Sequence, residues 1–285
     1  STQRRADGRR VDLSAGTRLH LLAGGDYRQQ ADHGIHSGRV CPINEISFLA
    51  WAGGDMRRLN PCAKGRGGEL KRQLVRAALA AAAALRAATP GVEIHAIDPI
   101  IHIHPRPGQD PGPIEAYNEV QWESWDLLTG RLEPGLGGHP EAFDVMGVNY
   151  YWNNQWLDHA EPLSVFDAAR FVPVHKLFAR AHQRYGRRIY LAETSIEDWP
   201  RASWLRFVAE AVREAIRHGT PMEGICLYPV LSHMGWDEDR YCPNGLFELE
   251  PKHGRRVVYA PLAEELRRQR AEFAAFFEGR DAAAA

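Results

Sequence analysis

The chain has 285 residues, of which 44% are hydrophobic and 25% charged, and its formal net charge is −1. This composition is typical of a globular protein with one or two domains, and the near-neutral charge argues against nucleic acid as a partner. No run approaches the ~18 consecutive apolar residues that a membrane span needs, so no membrane association is predicted.

The first 38 residues differ from the rest, because arginines, glycines and glutamines surround a single apolar cluster at Leu19–Ala23. We expect residues 1–38 to form a poorly ordered basic arm in front of a folded domain over residues 39–285. The arm shows no apolar segment of the signal-peptide kind, and the four cysteines form no CxxC pair. A reduced, cytoplasmic protein is the simplest interpretation.

From residue 40 onward, apolar strand-like runs alternate with amphipathic stretches. Strands are predicted at 40–43, 92–103, 143–151, 188–192 and 224–230, and helices at 69–88, 121–128, 165–185, 204–216 and from Pro261 onward. In the helix over 204–216 the apolar residues recur every three or four positions, and Gly219 stands where a helix ends. Strands that are apolar throughout, separated by helices, predict an α/β fold with a parallel sheet, either closed into a barrel or open.

Two glutamates come directly after predicted strands, Glu45 after 40–43 and Glu193 after 188–192. In barrel enzymes the carboxyl ends of the strands form the active-site face. Glycosidic bond cleavage needs one carboxyl group as acid and a second as nucleophile or base, which such a pair supplies. Either glutamate alone could equally be a salt-bridge partner at a strand end. Aromatic and amide side chains after neighbouring strands would suit a sugar.

Several motifs around these glutamates resemble clan A glycoside hydrolases, most closely glycoside hydrolase family 1, the β-glucosidase-like enzymes. The motifs are Pro42-Ile-Asn-Glu45 (fourth strand), Val145-Met-Gly-Val-Asn-Tyr-Tyr151 (sixth strand), Leu191-Ala-Glu-Thr-Ser195 (seventh strand), and Tyr228 to Trp236 with Asn244 to Phe247 (eighth strand and after). They cover residues 40 to 278 in the family's order. The resemblance implies the C-terminal five-eighths of a (β/α)8 TIM barrel.

The resemblance also implies roles. Glu45 would be the acid/base and Glu193 the nucleophile of a retaining hydrolase that cleaves a β-linked glycoside. Asn44 would hold the sugar 2-hydroxyl, and Tyr151 would hydrogen-bond the nucleophile. Three further side chains would line the sugar site: Asn149, Tyr228 and Trp236. No metal or organic cofactor is implied.

Two departures from the family pattern matter. The family usually has a glutamate before the last tryptophan of the eighth-strand motif, where this chain has Gly235, so the sugar preference is open. The 44 residues before Glu45 are about half of what three strand–helix units require. We therefore expect an incomplete barrel with its first strands missing or degenerate, with His20 a candidate for the third strand. An open sheet edge would favour a homo-oligomer.

Three other interpretations stay open. The chain could be a catalytically inactive barrel fragment that binds carbohydrate or a protein partner. It could be a doubly wound α/β enzyme, although no glycine-rich nucleotide loop follows a predicted strand. His102 and His104 share a face of one strand and could bind zinc, but without a third ligand we interpret them as structural histidines.

Overall fold

The computed structural model describes residues 20–23, 38–236, 239–250 and 252–284. Its centre is a six-stranded parallel sheet in the order β1–β8–β7–β5–β3–β2. Those strands are β1 (His20–Ala23), β2 (Arg39–Val40), β3 (Glu93–Pro99), β5 (Val145–Asn149), β7 (Arg188–Thr194) and β8 (Met222–Leu227). The predicted parallel sheet is therefore present.

Three small sheets lie outside the central one. Strands β4 (His102–His104) and β6 (Gln155–Leu157) pair in parallel. Strands β9 (His233–Met234) and β10 (Tyr241–Cys242) are antiparallel, as are β11 (Phe247–Glu250) and β12 (Arg255–Val258). The prediction of one strand over 92–103 is wrong, because this segment forms two strands, β3 and β4, which separate after Pro99. Proline has no backbone N–H to donate to a neighbouring strand.

Helices follow most of the central strands. They are α1 (Ile46–Leu49), α2 (Gly67–Ala88), α3 (Pro111–Val120), α4 (Glu123–Leu128), α5 (Val174–Tyr185), α6 (Arg201–Arg217) and α7 (Ala260–Ala284). A π-helical turn over Ala50–Asp55 continues α1, and a short 3₁₀ turn spans Pro134–Leu136. None of the helices in the described ranges is long and apolar enough to cross a membrane.

The prediction for α6 is confirmed and that for α5 is partly wrong. The apolar residues of α6 form a buried stripe that includes Trp204, Val208 and Val212, and Gly219 follows the helix with a positive φ of 85°. The helix predicted over 165–185 begins only at Val174, because Pro173 is extended at its amino end. A proline cannot supply the N–H that an earlier turn would need.

The core lies between the sheet and the helices that cover it. Phe178 of α5, Val208 of α6 and Ile189 of β7 have no exposed surface. The opposite face of the sheet is tightly packed. A Cβ atom added to Gly147 of β5 would lie 2.6 Å from Ile97 Cγ1 and 3.0 Å from Ala192 Cβ. Side chains of β3, β5 and β7 therefore converge on this inner face, as in a curled sheet.

Strand β1 corrects one expectation about the amino-terminal arm. His20–Ala23 pairs in parallel with β8, His20 opposite Gly224 and Ala23 opposite Leu227. A third barrel strand would instead lie beside β2, the fourth-strand segment, so the candidacy of His20 for that place is wrong. The physical reason is that the apolar cluster covers the free edge of β8. The rest of the predicted arm, residues 1–19 and 24–37, lies outside the described residues.

Candidate active site

Glu45 occupies a tight turn at the carboxyl end of β2. Its backbone N–H donates to the carbonyl oxygen of Ile97 in β3 at 3.0 Å, and the preceding residue, Asn44, forms a bridge to the same residue. Glu45 has a left-handed conformation, with φ 52° and ψ 57°, and α1 begins at the next residue. This conformation is unusual for a residue with a side chain and is typical of functional sites.

Glu193 lies near the carboxyl end of β7, opposite Asn149 of β5. In a flat sheet β2 and β7, three places apart, would be about 14 Å from each other. Yet Asn44, which follows β2, donates from its amide Nδ2 to Glu193 Oε1 at 2.8 Å. The sheet is therefore curled at this end, and its curvature brings the two glutamate-bearing segments together.

The side-chain amide of Asn149 links the two glutamates. Asn149 is fully buried, and its Nδ2 donates to Glu45 Oε1 at 2.8 Å. The same side chain lies close enough to Glu193 to lower the pKa of that carboxyl group by hydrogen bonding. Asn149 Oδ1 is buried without a hydrogen-bond partner in the described part of the chain.

Tyr151 holds the other oxygen of Glu193. Its hydroxyl donates to Glu193 Oε2 at 2.8 Å. Burial and then the nearby Glu193 carboxylate raise the pKa of Tyr151 well above its usual range, so this hydroxyl stays protonated and remains a donor. Each oxygen of Glu193 thus accepts a hydrogen bond, one from Asn44 and one from Tyr151.

The two carboxyl groups have different environments. Burial raises the pKa of Glu45 to about 7 against the bond from Asn149, with smaller contributions from the charges of Glu193 and Asp98. Burial also raises the pKa of Glu193, while the bonds from Tyr151, Asn44 and Asn149 lower it. Glu193 accepts hydrogen bonds from Asn44 and Tyr151, and Asn149 lowers its pKa further, whereas Glu45 accepts a bond from Asn149 alone. The proton shared by the pair therefore resides mainly on Glu45.

The last two predicted sugar contacts lie at different depths. Tyr228, just beyond β8, donates its N–H to the Thr194 carbonyl at 3.3 Å, and burial and the nearby Glu193 charge raise its pKa. Trp236 is 76% exposed, and its ring contacts His233 at a centroid distance of 6.5 Å. Tyr228 therefore belongs to the cluster around the glutamates, whereas Trp236 lies at the surface.

Sequence reasoning missed Asp98. This carboxylate is 2% exposed and accepts bonds from the backbone N–H of Ser47, 3.1 Å to one oxygen and 3.2 Å to the other. The hydroxyl of Ser124 donates to it as well. The signal available in the sequence was an acidic residue in the interior of the apolar run of β3, whose other acid, Glu93, stands at its first position.

His102 and His104 stack edge to face, with ring centroids 4.5 Å apart. His104 Nε2 lies 3.2 Å from Gln155 Oε1, which accounts for one ring nitrogen. Among the residues that the structure describes, no group of three or more metal-ligating side chains is found.

Several solved structures that resemble this chain are β-glucosidases. A family 1 β-glucosidase from Thermotoga maritima matches 81% of this chain at 15% identity, with a TM-score of 0.65. The same organism's β-glucosidase in complex with deoxynojirimycin matches 79% at 16% identity, with a TM-score of 0.62. A hyperthermophilic β-glucosidase mutant matches 79% at 16% identity and a TM-score of 0.65.

The fold of this chain resembles part of the barrel of family 1 β-glucosidases. The chain spans 55% to 63% of the length of these three glucosidases. No family model matches its sequence, and no curated protein does. The predicted fold, an incomplete (β/α)8 barrel that resembles family 1, is thereby confirmed.

Proposed function

We propose that this chain is a retaining glycoside hydrolase that cleaves a β-linked glycoside, with Glu45 as acid/base and Glu193 as nucleophile. The observation that carries the proposal is the network of amides that brings the two carboxyl groups into one cluster: Asn149 hydrogen-bonds Glu45, and Asn44, next to Glu45 in the chain, hydrogen-bonds Glu193. Retaining enzymes hold their two carboxyl groups about 5 Å apart, whereas inverting enzymes need about 6.5–9.5 Å to admit a water molecule. The influence of the one Asn149 side chain on both glutamates favours the shorter separation.

The proposed reaction has two displacements. In the first, Glu193 attacks the anomeric carbon while Glu45, protonated near neutral pH, gives its proton to the departing glycosidic oxygen. The products of this step are a free alcohol and a glycosyl ester on Glu193. In the second, the ionised Glu45 takes a proton from water, whose oxygen attacks the anomeric carbon and releases Glu193. The β configuration is retained because the carbon is inverted twice.

The hydrogen bonds to Glu193 support its assignment as nucleophile rather than acid. A carboxylate that accepts bonds from Tyr151 and Asn44 is favoured in its ionised form. Glu45 has the single bond from Asn149 and a pKa raised by burial to about 7, which suits a group that donates and then accepts a proton at neutral pH.

The sugar would contact groups around this pair. Asn44 would exchange part of its bond to Glu193 for the 2-hydroxyl, as the family resemblance implies. Asn149 Oδ1, buried and without a protein partner in the described ranges, is an acceptor for a hydroxyl donor. Tyr228 and the exposed Trp236 would bind the outer part of the ring. Gly235 leaves the sugar preference to be measured.

The direct test is turnover of a panel of 4-nitrophenyl β-glycosides that differ in the sugar. We expect hydrolysis of at least one member, at least a thousandfold loss in Glu193→Ala, and a smaller loss in Glu45→Ala, since nitrophenolate leaves without a proton. Glu223→Ala is the matched control, because Glu223 lies near the start of β8 and pairs with Arg188. Full activity in Glu193→Ala would refute the proposal.

A second candidate, carbohydrate binding without hydrolysis, is favoured by one observation. The described part of the sheet ends at β1 on one side and β2 on the other, with no pairing between them. Calorimetry separates the two functions: a saccharide that binds the wild-type chain while no β-glycoside in the panel is hydrolysed would favour binding alone.

A further inference from the structure

We propose that Asp98 is the positioning residue for Glu45: its carboxylate holds the turn that aims the Glu45 side chain into the site. The proposal rests on the acid/base role proposed above for Glu45. In this proposal Asp98 accepts the hydrogen bond from the first turn of α1 that the side chain of the residue before a helix normally accepts.

The backbone around Glu45 explains why such help is needed. Glu45 immediately precedes α1, the place where a side chain commonly accepts a hydrogen bond from an N–H two or three residues later. Glu45 makes no such bond, because its carboxyl group points the other way and meets the Asn149 amide. The first turn would therefore keep an unpaired donor next to a left-handed residue.

Asp98 supplies the missing acceptor from the neighbouring strand. Both of its carboxylate oxygens lie within 3.2 Å of the Ser47 N–H, two residues after Glu45. Next to it in the chain, the Ile97 carbonyl accepts the N–H of Glu45 itself. Consecutive residues of β3 thus fix both sides of the turn, which leaves the Glu45 carboxyl group free for chemistry.

Asp98 is itself rigidly held and deeply buried. It is 2% exposed and accepts a further bond from the Ser124 hydroxyl of α4. Lys71 of α2 contributes a favourable charge, and Lys71 is in turn 2.5 Å from Glu123. Burial of a carboxylate is costly unless it is hydrogen-bonded, and the donors of Ser47 and Ser124 supply those bonds.

Burial raises the pKa of Asp98 to about 6, and above that pH its carboxylate carries a negative charge that acts on Glu45. This charge gives a second measurable effect, separate from any change in the shape of the turn. The ionisable groups that influence Glu45 or its partners come from every neighbouring strand: Cys41 near β2, Asp98 on β3, Tyr151 after β5, Glu193 on β7 and Tyr228 after β8. Of these, Glu193 and Asp98 raise the pKa of Glu45 by their charge. Removal of the Asp98 charge should therefore make Glu45 more acidic.

Two variants separate position from charge. Asp98→Asn keeps an acceptor for Ser47 and removes the charge, whereas Asp98→Ala removes both. Asp126→Asn is the matched control, because Asp126 is also a largely buried, hydrogen-bonded aspartate of this layer, but it pairs with Arg184 and Tyr185. Circular dichroism would verify that each variant folds. If Asp98→Ala does not fold, the Glu45 titration in Asp98→Asn alone tests the proposal.

The experiment is a carbon-13 NMR titration of Glu45, assigned through Glu45→Gln, combined with the pH dependence of aryl β-glycoside hydrolysis. We expect Asp98→Asn to lower the Glu45 titration midpoint by roughly half a unit or more and to shift the alkaline limb of kcat by the same amount. Asp98→Ala should lose about tenfold or more in kcat, at nearly constant KM, beyond the loss in Asp98→Asn.

Unchanged Glu45 titration in both Asp98 variants, or an equal change in Asp126→Asn, would overturn the proposal. A wild-type chain without turnover would count against the glycosidase function alone, because the titration is measured on the protein without substrate. Equal kcat in Asp98→Ala and the wild type would overturn the positioning role even if hydrolysis is confirmed.

Discussion

Replacement of Glu45 by glutamine should stabilise the protein at alkaline pH and leave its stability unchanged at acidic pH. Burial raises the pKa of Glu45 from 4.5 to about 7 in the folded chain. Between these two values the folded state binds the proton more tightly than the unfolded state. The free energy of unfolding therefore falls as the pH rises through that window and stays reduced above it.

The magnitude follows from the same values. At about 1.4 kcal/mol for each pH unit, the rise from 4.5 to about 7 sets an upper bound of about 3.5 kcal/mol on this destabilisation. Partial solvent access to Glu45 reduces it, so we expect Glu45→Gln to gain about 1–2 kcal/mol at pH 8. The amide can still accept the bond from Asn149. A gain in stability on removal of a functional carboxyl group is a known trade-off.

Urea unfolding at pH 4 and pH 8 measures the effect, with the wild type, Glu45→Gln and Glu115→Gln compared side by side. Glu115 lies exposed on α3 and serves as the control, with no difference expected at either pH. The reasoning is refuted if Glu45→Gln is destabilised equally at both pH values, or if its stability gain is the same at pH 4 and pH 8.

Three further changes test the site and its support. Tyr151→Phe removes a hydrogen bond worth about 1.5–3 kcal/mol to the carboxylate of Glu193. We expect kcat/KM to fall roughly 10- to 100-fold and the acid limb of the pH profile to move to higher pH, because this bond lowers the pKa of Glu193. An acid limb at the same pH would contradict this role. Gly147→Ala places a methyl group 2.6 Å from Ile97 Cγ1, so the urea midpoint should fall by the equivalent of about 1–3 kcal/mol, and an unchanged midpoint would contradict the crowding. Phe178→Ala should cost about 3–5 kcal/mol because the ring is fully buried, without a shift in the pH profile.

The sequence predicted the architecture well because each signal was local. The apolar stripe of α6 and the apolar runs of β5 and β7 depend only on residues near in the chain. Two element boundaries differ from the prediction, each because of one proline. Helix α5 begins after Pro173, later than the apolar pattern indicates, and β3 ends at Pro99 although the apolar pattern continues.

Features that require the curvature of the sheet could not be predicted from spacing. Asn44 and Glu193 are 149 positions apart, yet they are joined by a direct hydrogen bond. The partner of His20–Ala23 is likewise a strand some 200 positions later, although four apolar residues carry no information about which edge they join. The roles of Glu45, Glu193 and their amide and tyrosine partners stay predictions that activity measurements must test.

Asp98 illustrates what was missed and why. Its chemistry depends on an N–H of Ser47 and a hydroxyl of Ser124, and neither residue carries a recognisable motif. Only the three-dimensional structure shows that these groups converge on one carboxylate beneath the Glu45 turn.

The central claim, that Glu193 forms a glycosyl ester, is tested most directly by trapping that ester. A panel of activated 2-deoxy-2-fluoro β-glycosides slows the second displacement more than it prevents the first, so an adduct should accumulate. Peptide mapping by mass spectrometry should find one sugar on the peptide that contains Glu193, and none in Glu193→Gln. An adduct on another residue, or no adduct on a chain that hydrolyses the parent β-glycosides, would contradict the assignment.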